Sequence, residues 1–402
     1  MGVFDAINKK VRYFMLGKEE RRRNLTITIL SLSLLTVMAG AAVAPALDYI
    51  KTYFSDVDQT LVQMIISIPS LFMALTNFIF PRLCKMFRAR TLLLGGLALY
   101  VVGGCAAGLF SNIYIVLVFR AIVGVGAGII MPMSTGLLSF YYTRDKQDRL
   151  MGYSSAMNQM GGVFATLVSG VLASFSWRAS FLVYLMGVPC AVLCMMYLPN
   201  EKIAGNEKKK GGEGVFGKYY MFLVAIFLSM FTFFVYPSVF AIQTVQEGII
   251  NPRFIPIIMA CMDLVAFFGG LSFVHLKKAL GMKVKFAAPL FFFIGYASLF
   301  VLGGWAGAII GSVFIGFANG VEIPFVISTA SQKAGRAAGT TVVPMISFSM
   351  YMAQFVTPMI LNGVSGFIPA PYAVAAISAA MLIIWSVTIK GEAPRHAVIQ
   401  EQ

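Results

Sequence analysis

Three charged side chains stand inside runs that are otherwise almost wholly apolar: Arg120, Asp263 and Glu322. A bare charge in hydrocarbon costs roughly 3 kcal/mol or more unless it is paired or hydrated, so such residues mark functional positions by default. A carboxylic acid in a low-dielectric site favours its neutral form and can exchange a proton near neutral pH. Asp263 and Glu322 are therefore candidates for proton coupling along an ion pathway. Arg120 stays protonated when buried and is a candidate counter-ion or anion-binding group. Each has a plainer alternative. Arg120 could anchor the first helix or a loop carbonyl, Asp263 could be half of an inert ion pair, and Glu322 could line a wet cavity without coupling. None of the three is expected to face lipid.

Neutral polar side chains in the same runs outline a candidate solute cavity: Asn77, Asn158, Gln159, Tyr236, Asn319 and Gln354, with Thr76, Thr232 and Tyr351 nearby in sequence. Asn and Gln in apolar helices also serve simply as interhelical glue. The 35 Phe and 24 Met are read mostly as lipid-facing or core residues. A cavity lined by some of them would suit partly apolar solutes better than sugars.

Other chemistries lack their signatures. Cys84, Cys105, Cys190, Cys194 and Cys261 form no Cys-x-x-Cys pair, and inside apolar runs Cys behaves as a small hydrophobe. No His-Glu-x-x-His helix, Gly-x-Ser-x-Gly elbow or Gly-Lys-Ser/Thr phosphate loop occurs. No enzymatic activity, metal or cofactor is expected.

The elements that must position these residues repeat. Gly124, Gly128 and Pro132 recur 192 residues later as Gly316, Gly320 and Pro324, and the same offset relates Pro45 to Pro237 and Gly103 to Gly295. Five matches in one order indicate a duplicated unit, the usual build of secondary transporters with a site between the repeats. Glycines four residues apart share one helix face and let backbones approach closely. The proline four residues on leaves a carbonyl unpaired and bends the helix. These six residues are read as a helix pivot in each repeat, or simply as packing positions.

Composition agrees: 59% of the chain is hydrophobic and 12% charged, against roughly a quarter charged in soluble domains, and mean hydropathy is +0.83. Twelve runs have the ~20-residue length a spanning helix needs. They lie near 25–47, 59–80, 91–110, 113–140, 150–174, 179–198, 219–242, 254–276, 286–303, 306–330, 340–365 and 372–389. The expected fold is all-α, with two six-helix bundles, 25–199 and 219–390. A linker at 200–218 (Glu-Lys-Lys-Lys-Gly-Gly-Glu-Gly at its centre) joins them. Residues 1–24 form a basic tail whose Phe4, Ile7, Val11, Phe14 and Met15 share a helical face, as in a surface-lying amphipathic helix rather than a signal peptide. Residues 391–402 form a second tail.

The net charge of +15 raises nucleic acid as a partner, and the placement of the cations answers it. Of 31 Lys and Arg, 27 fall in one alternate set of inter-run segments, including both tails and the linker. Only Lys51, Arg178 and Arg253 fall in the other set, and Arg120 lies within a run. By the positive-inside rule both termini are cytoplasmic. The basic character reports topology, and no nucleic-acid partner is expected.

Several local patterns resemble the major facilitator superfamily over roughly residues 20–390. Pro45-Ala46-Leu47 at the end of the first run is similar to the branch containing drug:proton antiporters. Arg120 followed by Gly124, Gly126, Gly128 and Pro132 resembles that branch's Arg-containing helix, and Ser176-Trp177-Arg178 resembles the usual start of the sixth helix. The signature loop, normally Gly-x-x-x-Asp-Arg-x-Gly-Arg, is degenerate: Pro81, Lys85 and Arg88 replace the first Gly, the Asp and the second Gly. The antiporter Gly-Pro pair is missing, with Ala165-Thr166 at the best-matching place.

The sequence thus reads as a polytopic inner (plasma) membrane carrier, working by alternating access as a monomer among lipids. It would move a small organic solute, coupled to protons. Multidrug or metabolite efflux by antiport is the alternative. A transport-inactive membrane sensor is a third reading, against which stands the lack of any polar stretch longer than the linker.

Overall fold

The computed structural model describes residues 2–142, 144–202, 215–248, 250–368 and 370–388. Within these, side chains are described except at 2–19, 139, 144–145, 147–149, 215–218, 331–344 and 388. The amphipathic face of the N-terminal tail, most of the linker and the tail at 391–402 lie outside the described residues.

Among the described residues the fold is helical, with no strand. The α-helices are α1 (Gly2–Ala41), α2 (Leu47–Tyr53), α3 (Gln59–Met86), α4 (Ala89–Ala107), α5 (Ile113–Tyr141), α6 (Arg144–Phe175), α7 (Gly187–Tyr197), α8 (Val215–Glu247), α9 (Ile255–Leu280), α10 (Ala287–Val301), α11 (Gly304–Val364) and α12 (Pro371–Thr388). Nine segments of the described residues are long and apolar enough to cross a membrane. Short 3-10 turns join α1 to α2 at Ala44–Ala46 and precede α7 at Ala179–Met186. Side-chain caps begin several helices: Asp58 accepts from the Thr60 amide at 2.7 Å and Asn112 from the Tyr114 amide at 2.9 Å, satisfying amides that have no partner within the helix.

One element differs from expectation. Separate helices are expected at 306–330 and 340–365, whereas α11 is helical over all 61 residues. A straight helix of that length would reach ~90 Å, three times the bilayer core. Its contacts show that the chain turns back. Going along α11, Ser312 meets Tyr236 of α8 and Glu322 meets Ser229, so the first stretch runs antiparallel to α8. Ser349 then meets Leu223 and Gln354 meets Met230, so the second stretch runs parallel to it. The reversal falls between Glu322 and Ser349.

The repeat seen in the sequence is also a repeat of contacts. A Cβ on Gly103 would lie 2.9 Å from the Val123 amide and 3.0 Å from the Phe119 carbonyl. On Gly295 it would lie 3.2 Å from the Ile315 amide and 3.1 Å from the Gly311 carbonyl. Both partners are shifted by the same 192 residues. Likewise Gly124 and Gly128 press on α3 at Pro69 and Thr76, while Gly316 and Gly320 press on the α9 carbonyls of Met262 and Ala266. Small residues are needed because each glycine meets main chain or, at Gly128, the Thr76 Cβ at close range.

Segments assigned to one membrane side by charge also meet in space. Arg90 donates to the Leu198 carbonyl at 2.7 Å, and the Ala89 amide to Glu201 at 2.8 Å. At the other end Arg178 reaches Tyr53, Ser111 and the Gly108 carbonyl.

Candidate functional site

Helices α1–α7 pack among themselves, as do α8–α12, and the two sets meet along a seam formed chiefly by α3 with α11, α6 with α9, and α2 with α8. At the α8 end of the seam the Gln63 amide donates to the Ser238 carbonyl at 3.2 Å, and Asn362 donates to the Gln63 side chain at 2.8 Å. Nearer its middle the Ser70 hydroxyl donates to Gln354 at 2.7 Å, and Tyr351 donates to the Met131 sulfur. Further along, the rings of Phe78 and Phe348 stack edge to face at 5.1 Å.

Arg120 is fully buried on α5. Its Nε donates to the Ile65 carbonyl at 2.6 Å, one terminal nitrogen to the Ala39 carbonyl at 2.6 Å, and the other to the Tyr184 hydroxyl. Both carbonyls are open for local reasons. Pro69 has no amide to give Ile65 four residues back. Ala39 lies in the last turn of α1, where helical donors run out. The guanidinium thus ties α1, α3 and the turn before α7 together. Among the described residues the only ion pair is Arg23 with Glu20, at 3.9 Å, so Arg120 is not brought to either buried carboxylate.

The second set uses the same logic with a different donor. Pro237 leaves the Phe233 carbonyl open in α8, and the Tyr296 hydroxyl lies 3.3 Å from it and 2.5 Å from the Thr232 carbonyl. Tyr236, fully buried, shares a hydrogen bond with Ser312 at 2.6 Å and stacks on Phe240. It is built into the interior of α8–α12.

Glu322 is 2% exposed on the first stretch of α11. One carboxyl oxygen accepts from Ser229 of α8 at 3.0 Å, and the other is buried with no partner among the described residues. Asn319, one turn earlier, also has a buried side-chain oxygen without a partner. Gly316, Gly320 and Pro324 place both residues on the stretch that presses on α9. Asp263 of α9 lies on the seam, accepting from Thr166 of α6 at 3.1 Å, with Gly162 leaving room for the carboxylate.

The remaining sequence candidates divide. Asn158 accepts from Thr36 at 2.5 Å, one turn from a Ser33–Ser154 pair at 2.6 Å, and so helps to join α6 to α1. Asn77 and Gln159 are half-buried on α3 and α6. Gln354 lies in the seam itself. Gly124, Gly128 and Pro132 sit on continuous α5 against α3. Sequence reasoning missed Tyr184, Ser229, Thr166 and the Gln63–Asn362 link. The available signals were Gln63 and Asn362, amide side chains within apolar runs.

A family model described as Major Facilitator Superfamily matches residues 29–358. An uncharacterized transporter of Schizosaccharomyces pombe is 29% identical over 156 residues, 39% of this chain and 32% of that protein. The multidrug transporter AQR1 of Candida glabrata is 25% identical over 166 residues, 40% of this chain and 28% of that one. The chain therefore aligns with about a third of the length of these curated relatives. A solved D-xylose-proton symporter superposes with a TM-score of 0.74 at 12% identity, covering 92% of this chain and 98% of that one, a likeness of fold.

Proposed function

The chain belongs to the major facilitator superfamily, and on that premise we propose that it is a secondary carrier moving a small organic solute by alternating access, coupled to protons. It is a polytopic membrane transporter by family and by its apolar helices. Joining α2 to α1 and dividing α11 at its reversal supports twelve crossings in two bundles, 25–199 and 219–390. The cation asymmetry supports cytoplasmic termini in a cell inner membrane. The two bundles would rock about the seam, exposing a site between them to each side in turn. No step in this cycle makes or breaks a covalent bond of the solute.

Glu322 carries the coupling proposal. Its carboxyl group is shut away from water, and among the described residues it has one donor and keeps one oxygen without a partner. It sits on a helix stretch packed backbone to backbone against α9, so a change in its protonation acts on the interior of one bundle. A proton drives the cycle only if the two states bind it with different affinity. Arg120, held by carbonyls, serves the first bundle as a clamp. Asp263 is the second coupling candidate, on the seam.

The test is uptake into proteoliposomes under an imposed pH gradient. Glu322→Gln, which copies the protonated shape, is expected to abolish gradient-driven accumulation while leaving solute exchange. Accumulation by that variant equal to wild type would move coupling away from Glu322. A multidrug transporter among the relatives favours a second reading, efflux by antiport. In that case the same gradient would drive solute out as protons enter.

A further inference from the structure

The corner between α3 and α4, on the cation-rich side, carries charge that no carboxylate answers. Arg82, Lys85 and Arg88 are all exposed there. Arg90 is spent on the Leu198 carbonyl and the Ala89 amide on that of Glu201. These two bonds lay the chain that follows α7 across the start of α4. Lys202, also exposed, is thereby brought up beside Arg88. None of these four cations has an ion-pair partner among the described residues, where the only ion pair is Arg23 with Glu20.

Apolar side chains share the patch. Leu75, Ile79, Arg82 and Met86 follow one another at three- and four-residue spacing down one exposed face of α3. The lipid-facing apolar surface thus runs into the cations without a break. Met86 is 70% exposed and Phe87 43% exposed, and both lie past Arg82, between the charges. Apolar side chains interleaved with cations suit the boundary between headgroups and acyl chains. A free anion would use the cations and leave Met86 and Phe87 in water.

We propose that Arg82, Lys85, Arg88 and Lys202 bind the headgroup phosphate of an anionic phospholipid, with Met86 and Phe87 against the start of its acyl chains. Arg82 and Arg88 supply planar forks that match phosphate oxygens two at a time. A zwitterionic headgroup brings its own ammonium, which the cations repel, so net negative charge selects the lipid. The corresponding corner between α9 and α10 is a weaker binder. Its cations are all lysines, and Lys277 and Lys285 lie over the Phe273 and Phe286 rings at 5.8 and 4.9 Å. Bound lipid would hold down the corner to which the start of the chain between the bundles is fastened.

The experiment uses the full chain in phosphatidylcholine vesicles carrying a trace of spin-labelled phosphatidylglycerol or spin-labelled phosphatidylcholine. Electron spin resonance reads the share of each label immobilised on the protein. Melting in detergent first shows that every variant folds, and exposed substitutions of this kind should change it little. Wild type is expected to hold phosphatidylglycerol severalfold more strongly than phosphatidylcholine. Each cation near a membrane surface is worth about fivefold in affinity for anionic lipid, so R82Q/K85Q/R88Q should lose most of that preference. K277Q/K278Q/K283Q removes the same charge on the same side and should keep most of it. Inorganic phosphate should displace no more lipid than chloride at equal ionic strength.

Equal immobilisation of the two lipids by wild type overturns the site, as does an unchanged preference in R82Q/K85Q/R88Q. Equal losses in the two triple variants would assign the effect to overall charge and overturn it too. Displacement by phosphate beyond that by chloride would make the ligand a free anion, against the lipid. No residue of the seam takes part, so each of these results leaves the carrier reading as it stands.

Discussion

Arg120 donates, at 2.6 Å, to the Ile65 carbonyl, the group that Pro69 leaves without an amide. A proline inside a buried helix needs such a donor from elsewhere, because an unsatisfied carbonyl in an apolar interior is costly. The guanidinium suits this because its planar fork reaches several acceptors at once.

Arg120→Lys keeps the charge and loses the fork; the Ala39 carbonyl keeps the Tyr184 hydroxyl as donor at 3.0 Å, so the Ile65 carbonyl is the one put at risk. The expected result is destabilisation of about 1–3 kcal/mol, read as a lower melting temperature in detergent, with solute affinity in the folded fraction unchanged. Unaltered melting together with lost binding would make Arg120 a solute ligand instead.

The Thr166 hydroxyl donates to Asp263 across the seam at 3.1 Å. Thr166→Val, similar in shape, should cost about 1–3 kcal/mol by stranding the carboxyl oxygen. Asp263→Asn keeps an acceptor for Thr166 and should melt near wild type. Two silent variants would mean that this contact has no weight in the closed seam.

The glycine contacts allow a paired comparison. A Cβ on Gly320 would run into the Ala266 carbonyl of α9, whereas one on Gly95 meets nothing within 4 Å. Gly320→Ala is expected to destabilise by roughly 1–3 kcal/mol, since backbone must shift to relieve overpacking. Gly95→Ala should be neutral or stabilising by up to ~1 kcal/mol, the helix preference for Ala over Gly. Equal melting temperatures for the two would contradict the packing of α11 on α9.

Membrane topology is checked by reporter fusions. Fusions after Phe110 and Ser176 should score external, and fusions after Arg90 and Lys210 cytoplasmic. A cytoplasmic score at Ser176 would break the count of twelve crossings.

What could be read in the chain beforehand follows from how local each constraint is. Gly124, Gly128, Gly316 and Gly320 were legible because close backbone approach admits few residue types, and their spacing is fixed by the helix itself. Helix positions followed from run length in the same way. The partners of Arg120 were not legible, because backbone carbonyls carry no side-chain signature and Ile65 is 55 residues away. Met131 was hidden among 24 methionines. Nothing in its type separates a seam position from a lipid-facing one. The continuity of α11 was not legible because Gln332, Lys333 and Arg336 interrupt the apolar run and read as a loop, whereas helix runs from Gly304 to Val364.

The glycine contacts also imply an uneven distribution of mechanical compliance. Where α5 meets α3, and α11 meets α9, glycine lies against main chain or against a Cβ fixed to it (Phe72 and Thr76), and neither kind of atom can swing aside. Such joints are hard: sliding by even half an ångström meets steep repulsion. Where α3 and α5 face the second stretch of α11, the facing groups are Met, Ser, Gln and Phe, whose rotamers can change at little cost. Deformation collects in the softer material. Force applied anywhere in one bundle would therefore leave its internal geometry nearly intact and reappear as displacement between the bundles, so the placement of glycine sets where this protein gives way.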